Sequence, residues 1–432
     1  MIVLLLLLTL QVCLGLDLTR IKELAIKNNL ESVKSELELR KLEERIKEVR
    51  AEILPEVSLS ARFTRWDPAY ISAFVPENKY SLTLSLEQAV FNKTLWTALR
   101  IAKESKELQE LIEEEVRNRL LSEVEKLYWA VLLKKEILKE KEESLHYWES
   151  YYELVREKYR EGVVPKYEFL RAKARFREAK AELIKSHGEY VASLNSLKSF
   201  LGIREDVEIE GSLRMEDLPP DALTLSPEET NPTLRVLKKM IELRRLNTHL
   251  VRSERFPKLY FFFTYNVENV VDFEEGRLKE DLRHGYSFGL RMSMTLLDSG
   301  RTSARFMQER IEEVKSKREL SFTRVKVLSE VDTLKLQLRS ALEEVKARRE
   351  SLRAAEESLR YATERYREGV GSQVELLEAR KAYEEAKLSY LNAIYLYNSV
   401  VADLKYFLGW HTKKTVEQQL GDSTGSKPMD FE

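Results

Sequence analysis

Cysteine is almost absent. The 432 residues hold a single one, Cys13, so no disulfide can form within the chain. Glycine is scarce at 14 residues, while Lys, Glu, Arg, Leu and Ala are abundant, a balance that favours long helices or coiled coil. Neither sign of charge dominates: 72 Lys and Arg stand against 73 Asp and Glu, for a net charge of −1, which excludes a basic nucleic-acid binder. A mean hydropathy of −0.42 excludes a polytopic helical membrane protein. The five histidines, His146, His187, His249, His284 and His411, are scattered and form no metal-ligand pair at i,i+4. Glycine-rich phosphate loop, nucleophile elbow and zinc motif are all missing, so nothing implies an enzyme, a cofactor or a metal site.

Long apolar runs are missing too, except at the N-terminus. Ile2–Leu8 opens an apolar stretch that reaches about Leu16, too short to span a bilayer as a helix. It reads as a signal peptide over residues 1–15, with Gly15 as the small residue before the cut. Lipid on Cys13 is the alternative, and both readings export the chain.

Helix breakers are absent where it matters most. Residues 94–161 and 301–368 contain neither Gly nor Pro, and each run is 68 residues long. At 1.5 Å per residue such a helix is about 100 Å long, far beyond an ordinary globular helix. Each run then meets a glycine, Gly162 or Gly369, and a second helical run follows. The chain therefore reads as two very long helical hairpins with those glycines at their tips.

The two hairpins are a repeat. Tyr159–Gly202 aligns without a gap on Tyr366–Gly409, with 17 identities in 44 positions, among them the tips Tyr159–Val163 and Tyr366–Val370. A period this long marks a duplicated half rather than a solenoid. The preceding segments repeat as well, since Asn29 and Pro55 have the spacing of Asn231 and Pro257. Residues 203–230 are an acidic, Pro-containing connector, with a short strand expected at Val207–Leu213, and the tail 410–432 is polar.

Between helices the period changes from 3.6 to two. Val57, Leu59, Ala61 and Phe63 alternate with Ser58, Ser60, Arg62 and Thr64; Tyr80, Leu82, Leu84 and Leu86 alternate with Ser81, Thr83, Ser85 and Glu87. In the second half, Tyr286 to Leu296 alternates with Ser287, Gly289, Arg291, Ser293 and Thr295. Strands are expected near 56–66, 79–91, 258–267 and 285–297, with a charged loop at about 268–284. Apolar on one face and polar on the other, they match the transmembrane barrel pattern, and the polar face with Arg62 and Arg291 suits a watery interior. A soluble sheet packed on helices is the competing reading. Four strands cannot close a barrel and an open edge is not viable in lipid, so several chains must contribute: two would give eight strands, three would give twelve and a lumen. On the first long helix Leu120, Val124, Leu127 and Val131 form a coiled-coil stripe.

The Pro-ended helices before strands, the segment Leu297-Asp298-Ser299-Gly300-Arg301 and the tips Tyr159–Ala172 and Tyr366–Ala379 together resemble the TolC-like outer membrane efflux protein family. The resemblance covers nearly the whole mature chain. It implies a mainly α fold with a small β portion, in which hairpins form a trimeric helical barrel and four strands per chain enter a shared twelve-stranded β-barrel. It also implies a homotrimer in outer-membrane lipid that extends into the periplasm and meets a periplasmic adaptor protein and an inner-membrane pump. The implied function is a passive exit duct of a tripartite efflux pump or type I secretion system, with a periplasmic coiled-coil scaffold as the alternative. The resemblance implies adaptor docking at Gly162, Val163, Gly369 and Val370, and a periplasmic gate of carboxylates at Glu168, Glu375 and Glu378. One departure stands out: Gly371 occupies a position where the best-known members carry a basic residue, for which Lys166, Arg171 or Arg380 could substitute.

Overall fold

The computed structural model describes residues 14–67, 69, 76–218, 224–274 and 277–411. The leader core Ile2–Leu8, Cys13 and the tail beyond residue 411 lie outside the described residues. The chain divides into two compact units, one of residues 1–35, 112–235 and 323–432, the other of residues 36–111 and 236–322.

The first unit holds most of the hairpins and the short helix α5 (Pro227–Thr230), which Asn231 ends. Helix α3 (Lys93–Arg160) ends within it and is followed by α4 (Lys166–Leu201); α7 (Arg301–Arg367) likewise gives way to α8 (Gln373–Phe407). These helices run on because nothing in them interrupts the i→i−4 ladder, and they stop where a left-handed residue is supplied. Gly162 has φ +75° and Gly369 φ +78°, a region where L side chains are strained. At both tips the same paired bonds close the helix: Gly162 N–H donates to the Tyr159 carbonyl and Val163 N–H to that of Lys158, while Gly369 donates to Tyr366 and Val370 to Arg365. This is the Schellman cap, and its recurrence shows that the repeat extends to hydrogen bonds.

Helix α1 (Leu18–Asn28) and a short parallel pair, β1 (Leu14–Leu16) with β4 (Val207–Ile209), complete one core of this unit. Leu14 and Gly15, assigned to the leader on sequence, are thus paired in β1, and the connector strand is shorter than expected. Of the stripe, Val124, Leu127 and Val131 pack inside this core together with Ile21, Ala25, Leu197 and Leu201, and Leu120 is buried one turn before them. The repeat is visible here too. Asn29 donates through Nδ2 to the Phe200 carbonyl at 3.1 Å, and Asn231 to the Phe407 carbonyl at 2.9 Å. Each asparagine ends one helix, begins the next and satisfies a carbonyl at the end of a returning helix.

The second unit contains the remainder of α2 (Leu30–Ala51), most of α6 (Pro232–Ser253), the adjoining parts of α3 and α7, and a four-stranded antiparallel sheet. Its order is β2 (Glu56–Arg65), β3 (Asn78–Phe91), β5 (Lys258–Glu274), β6 (Arg277–Ser293). Two sequence expectations are corrected. The charged stretch 268–284 is not a loop but the outer part of the β5–β6 hairpin, in continuous register to Glu274 opposite Arg277. Opposite charges oppose one another there, as at Glu268 and Arg283. Asn269 extends the contact of β5 with β3 beyond their last backbone pair, Glu268 with Ser81: its Nδ2 donates to the Asn78 carbonyl and its Oδ1 accepts from Tyr80 N–H, both at 2.7 Å. Conversely, β6 stops at Ser293 rather than 297, because its partner begins at Lys258, directly after Pro257, which offers no N–H. With β6 beginning at Arg277, Tyr286 lies mid-strand instead of at a strand end.

Candidate functional site: the hairpin tips and the four-stranded sheet

At the tips the two repeats present matching apolar points. Val163 and Val370 are 66% and 67% exposed, each directly after a positive-φ glycine that has open space around it. A side chain that greasy, held at the end of a rigid helix in both hairpins, is not core packing.

The three expected gate carboxylates have different surroundings. Glu168 lies in the first turn of α4, half-buried, with the Tyr167 hydroxyl 3.3 Å from its Oε1. Glu375 belongs to a capping box: its N–H donates to Ser372 Oγ at 3.2 Å and its carboxylate accepts from Ser372 N–H at 3.3 Å. Its other Oε lies 3.8 Å from Arg365. Glu378 is exposed on the face of α8 one turn on. Within one chain Glu375 is thus occupied at its own helix start.

Gly371 also has a local explanation. A Cβ there would lie 3.0 Å from both Arg365 Cβ and Tyr366 N, so any side chain at this position, including the basic one of the best-known members, needs the tip backbone to give by a few tenths of an ångström. Of the substitutes, Arg380 is committed elsewhere. It is buried, 2.8 Å from Glu384 and 3.9 Å from Glu140, and its guanidinium lies 4.7 Å and 5.4 Å from the rings of Tyr147 and Tyr383. Lys166 and Arg171 are exposed.

Sequence reasoning missed what surrounds Arg380. Glu140 on α3 is fully buried and is approached by Lys387 and Arg380, both on α8. Lys387 also reaches Glu143 at 3.2 Å, and Ser144 Oγ donates to Glu384 at 2.7 Å. Burial works against the Lys387 charge, yet the hydrogen bond and Coulomb attraction from Glu140 hold its pKa well above the ordinary lysine value. Nearby, Gln373 donates to the Tyr151 hydroxyl, and burial pushes the Tyr151 pKa up. The first hairpin is therefore tied to the second by a buried ionic cluster and an aromatic layer of Tyr147, Trp148, Tyr151 and Tyr366.

The sheet is the other candidate. One face carries Val57, Leu59, Phe63, Leu82, Leu84, Phe288, Leu290 and Met292, all exposed. The opposite face carries Ser58, Ser60, Arg62, Thr83, Ser85, Glu87, Thr264 and Arg291, with Arg291 bound to Glu87 at 2.7 Å. Strands β2 and β6 are paired on one side only. Among the described residues no helix is long and apolar enough to cross a membrane. The sheet itself, apolar on one face and polar on the other, has the pattern of a transmembrane β-barrel wall.

Long helical hairpins and an apolar-faced antiparallel sheet with free edges define a channel-forming protein. The outer membrane efflux protein model matches residues 22–203 and 227–409, so the chain belongs to the outer membrane efflux protein family. It is 20% identical over 379 residues to the outer membrane protein TolC of Salmonella enteritidis, covering 85% of this chain and 76% of that one. Among solved structures, it is similar to the Campylobacter jejuni CmeC outer membrane channel (TM-score 0.77, 15% identity, 93% and 89% of the two chains). It is also similar to the open state of the Neisseria gonorrhoeae MtrE outer membrane channel (TM-score 0.74, 19% identity, 91% and 88%). The protein is accordingly a non-enzymatic efflux channel of the outer membrane that extends into the periplasm, and this membership implies trimeric assembly.

Proposed function

We propose that three copies of this chain form a passive exit duct serving a tripartite efflux pump or a type I secretion system. The observation that carries this reading is the sheet: four strands with an apolar exposed face, a polar opposite face and two unpaired edges. Exposed edges are not viable in lipid, and twelve strands from three chains close the wall around a lumen. In this reading residues 16–202 and 231–409 act as two equivalent repeats around the duct, residues 203–230 form an equatorial connector, and 410–432 a polar tail. The tips at Gly162, Val163, Gly369 and Val370 dock a periplasmic adaptor protein, whose inner-membrane pump supplies the energy. Their support is the matched exposure of the two valines. Glu168, Glu375 and Glu378 are proposed to ring the periplasmic constriction, each as three carboxylates in a trimer. Glu378 has the strongest support, being exposed, whereas Glu375 is occupied by its capping box.

The test is assembly followed by selectivity. Crosslinking in detergent of protein from an outer-membrane fraction should stop at three chains, and a stable monomer with its strand signal intact sinks the duct. In planar bilayers, Glu378→Gln should lower cation selectivity more than Glu375→Gln. Equal selectivity in both variants and the parent puts the narrow point elsewhere.

A further inference from the structure

The internal repeat supplies a template for the seam between copies. Within one chain, the second strand of the first repeat, β3, meets the first strand of the second, β5, in a register where Ser85 opposes Thr264 and Ala89 opposes Tyr260, followed by a bulge that sets Phe91 opposite Leu259. Around a trimer, the second strand of the second repeat, β6, must meet the first strand of the first repeat, β2, of the next copy. The two junctions are equivalent, so one register gives the other. Tyr80 corresponds to Tyr286 and Asn92 to Asp298, an offset of 206, while Asn29 corresponds to Asn231 and Pro55 to Pro257, an offset of 202. The structure supports both alignments. Asn92 and Asp298 each accept backbone N–H bonds at the start of their long helix, and Asn29 and Asn231 hold equivalent carbonyls.

Resting on the trimeric reading, we infer that β6 of one copy pairs with β2 of the next so that Arg291 lies opposite Arg62 of the partner subunit, and that this seam forms a luminal site for an oxyanion such as inorganic phosphate. Applying the two offsets to the Ser85–Thr264 pair gives that opposition directly. The same transfer sets Ser293 opposite Ser60 of the partner subunit, Leu290 opposite Phe63 of the partner subunit, and Leu297 opposite Val57 of the partner subunit. Face matching checks it independently. Apolar residues meet apolar ones and polar meet polar, whereas a slip of one residue would invert every pair. The register also explains Met294–Leu297, where the alternation runs on to Leu296 but no strand pairs with it in the single chain, with Leu296 and Leu297 88% and 87% exposed. They continue β6 once a second copy supplies their partner.

The chemistry of the site follows. Arg291 already holds Glu87 at 2.7 Å, and Arg62 has Ser81 opposite it on β3. Closing the seam therefore adds a second guanidinium to a pair balanced by one carboxylate, on the polar face. Like charges directly opposite each other are unfavourable, and two guanidiniums with their planar donor forks suit a phosphate or carboxylate group.

Two measurements on the full-length trimer test this, in a Cys13→Ser background. Ser293→Cys with Ser60→Cys should oxidise to interchain dimers and trimers, while Ser293→Cys with Ser58→Cys or with Arg62→Cys should crosslink several-fold less. Preference for either of the latter, or trimers with no crosslink at all, overturns the register. Chains that stay monomeric overturn the trimeric reading itself, a separate outcome. For the site, the ³¹P linewidth of inorganic phosphate is measured with solubilised trimer. Broadening should fall by at least half in Arg62→Gln, a variant at an exposed edge whose trimer migration is checked alongside. Undiminished broadening in that variant, or none with the parent, overturns the oxyanion site.

Discussion

Replacing Glu140 with Gln keeps its shape and removes its charge. The carboxylate is fully buried, with Lys387 against one oxygen and Arg380 3.9 Å from the other. At that separation, an effective dielectric of ~20 gives about 4 kcal/mol for the Arg380 pair alone. Arg380 is also neutralised by Glu384, and Lys387 by Glu143, so part of this survives the substitution. The expected loss is about 3 kcal/mol, near the low end for removing one partner of a buried pair. Because the cluster joins α3 to α8, the loss should appear as local opening rather than global unfolding. Amide hydrogen exchange around residues 136–144 and 380–388 should speed up by about 150-fold, at one decade per 1.36 kcal/mol. A cycle with Lys387→Met should show strong coupling. The pH dependence has a definite sign. The folded Lys387 pKa is raised, so its contribution is complete below the ordinary lysine value and disappears only as pH rises through the higher folded one. Exchange accelerated by less than threefold, or additive single variants, would refute the idea that this cluster ties the hairpins.

Other substitutions probe the repeat and its caps. Gly369→Ala should lose about 1 kcal/mol through the left-handed backbone alone, since its Cβ meets nothing. Gly371→Arg should be worse, because its Cβ comes within 3.0 Å of Arg365 Cβ and the Tyr366 backbone, which must give way, and limited proteolysis at the tip should rank the two in that order. Asn231→Ala removes the bond to the Phe407 carbonyl and the cap on Leu234 N–H at a buried site, for an expected loss of about 2 kcal/mol by thermal unfolding. The less buried Asn29→Ala should lose less. Asp298 is held below the usual carboxylate range by the Thr302 hydroxyl, then by the Thr302 and Gly300 N–H groups. Its contribution is therefore present above the ordinary aspartate pKa and lost as pH falls through the depressed one. Asp298→Asn should flatten the acid limb of a stability–pH profile, and an unchanged limb counts against the cap.

The sequence was most legible where one local rule acts alone. Unbroken ladders ending at Gly162 and Gly369 needed no tertiary information, and the structure closes both with the same cap. The capping box Ser372–Glu375 was equally readable as S-x-x-E, yet its glutamate was assigned only to a gate. The Glu140 cluster was not readable. In helices dense with Lys and Glu, a buried carboxylate looks like a solvated one until the facing helix is known, and the only hint was the aromatic spacing Tyr147, Trp148, Tyr151. The strands failed in two opposite ways, for one physical reason. A strand exists where a neighbour accepts its hydrogen bonds, and alternation reports only which side chains face lipid. Residues 268–284 lack apolar alternation but have a partner within the chain, so they form a hairpin. Met294–Leu296 continue the alternation but have no strand partner among the described residues, so they stay irregular. On the trimeric reading proposed above, the alternation beyond Ser293 is the part of the strand that a second copy pairs.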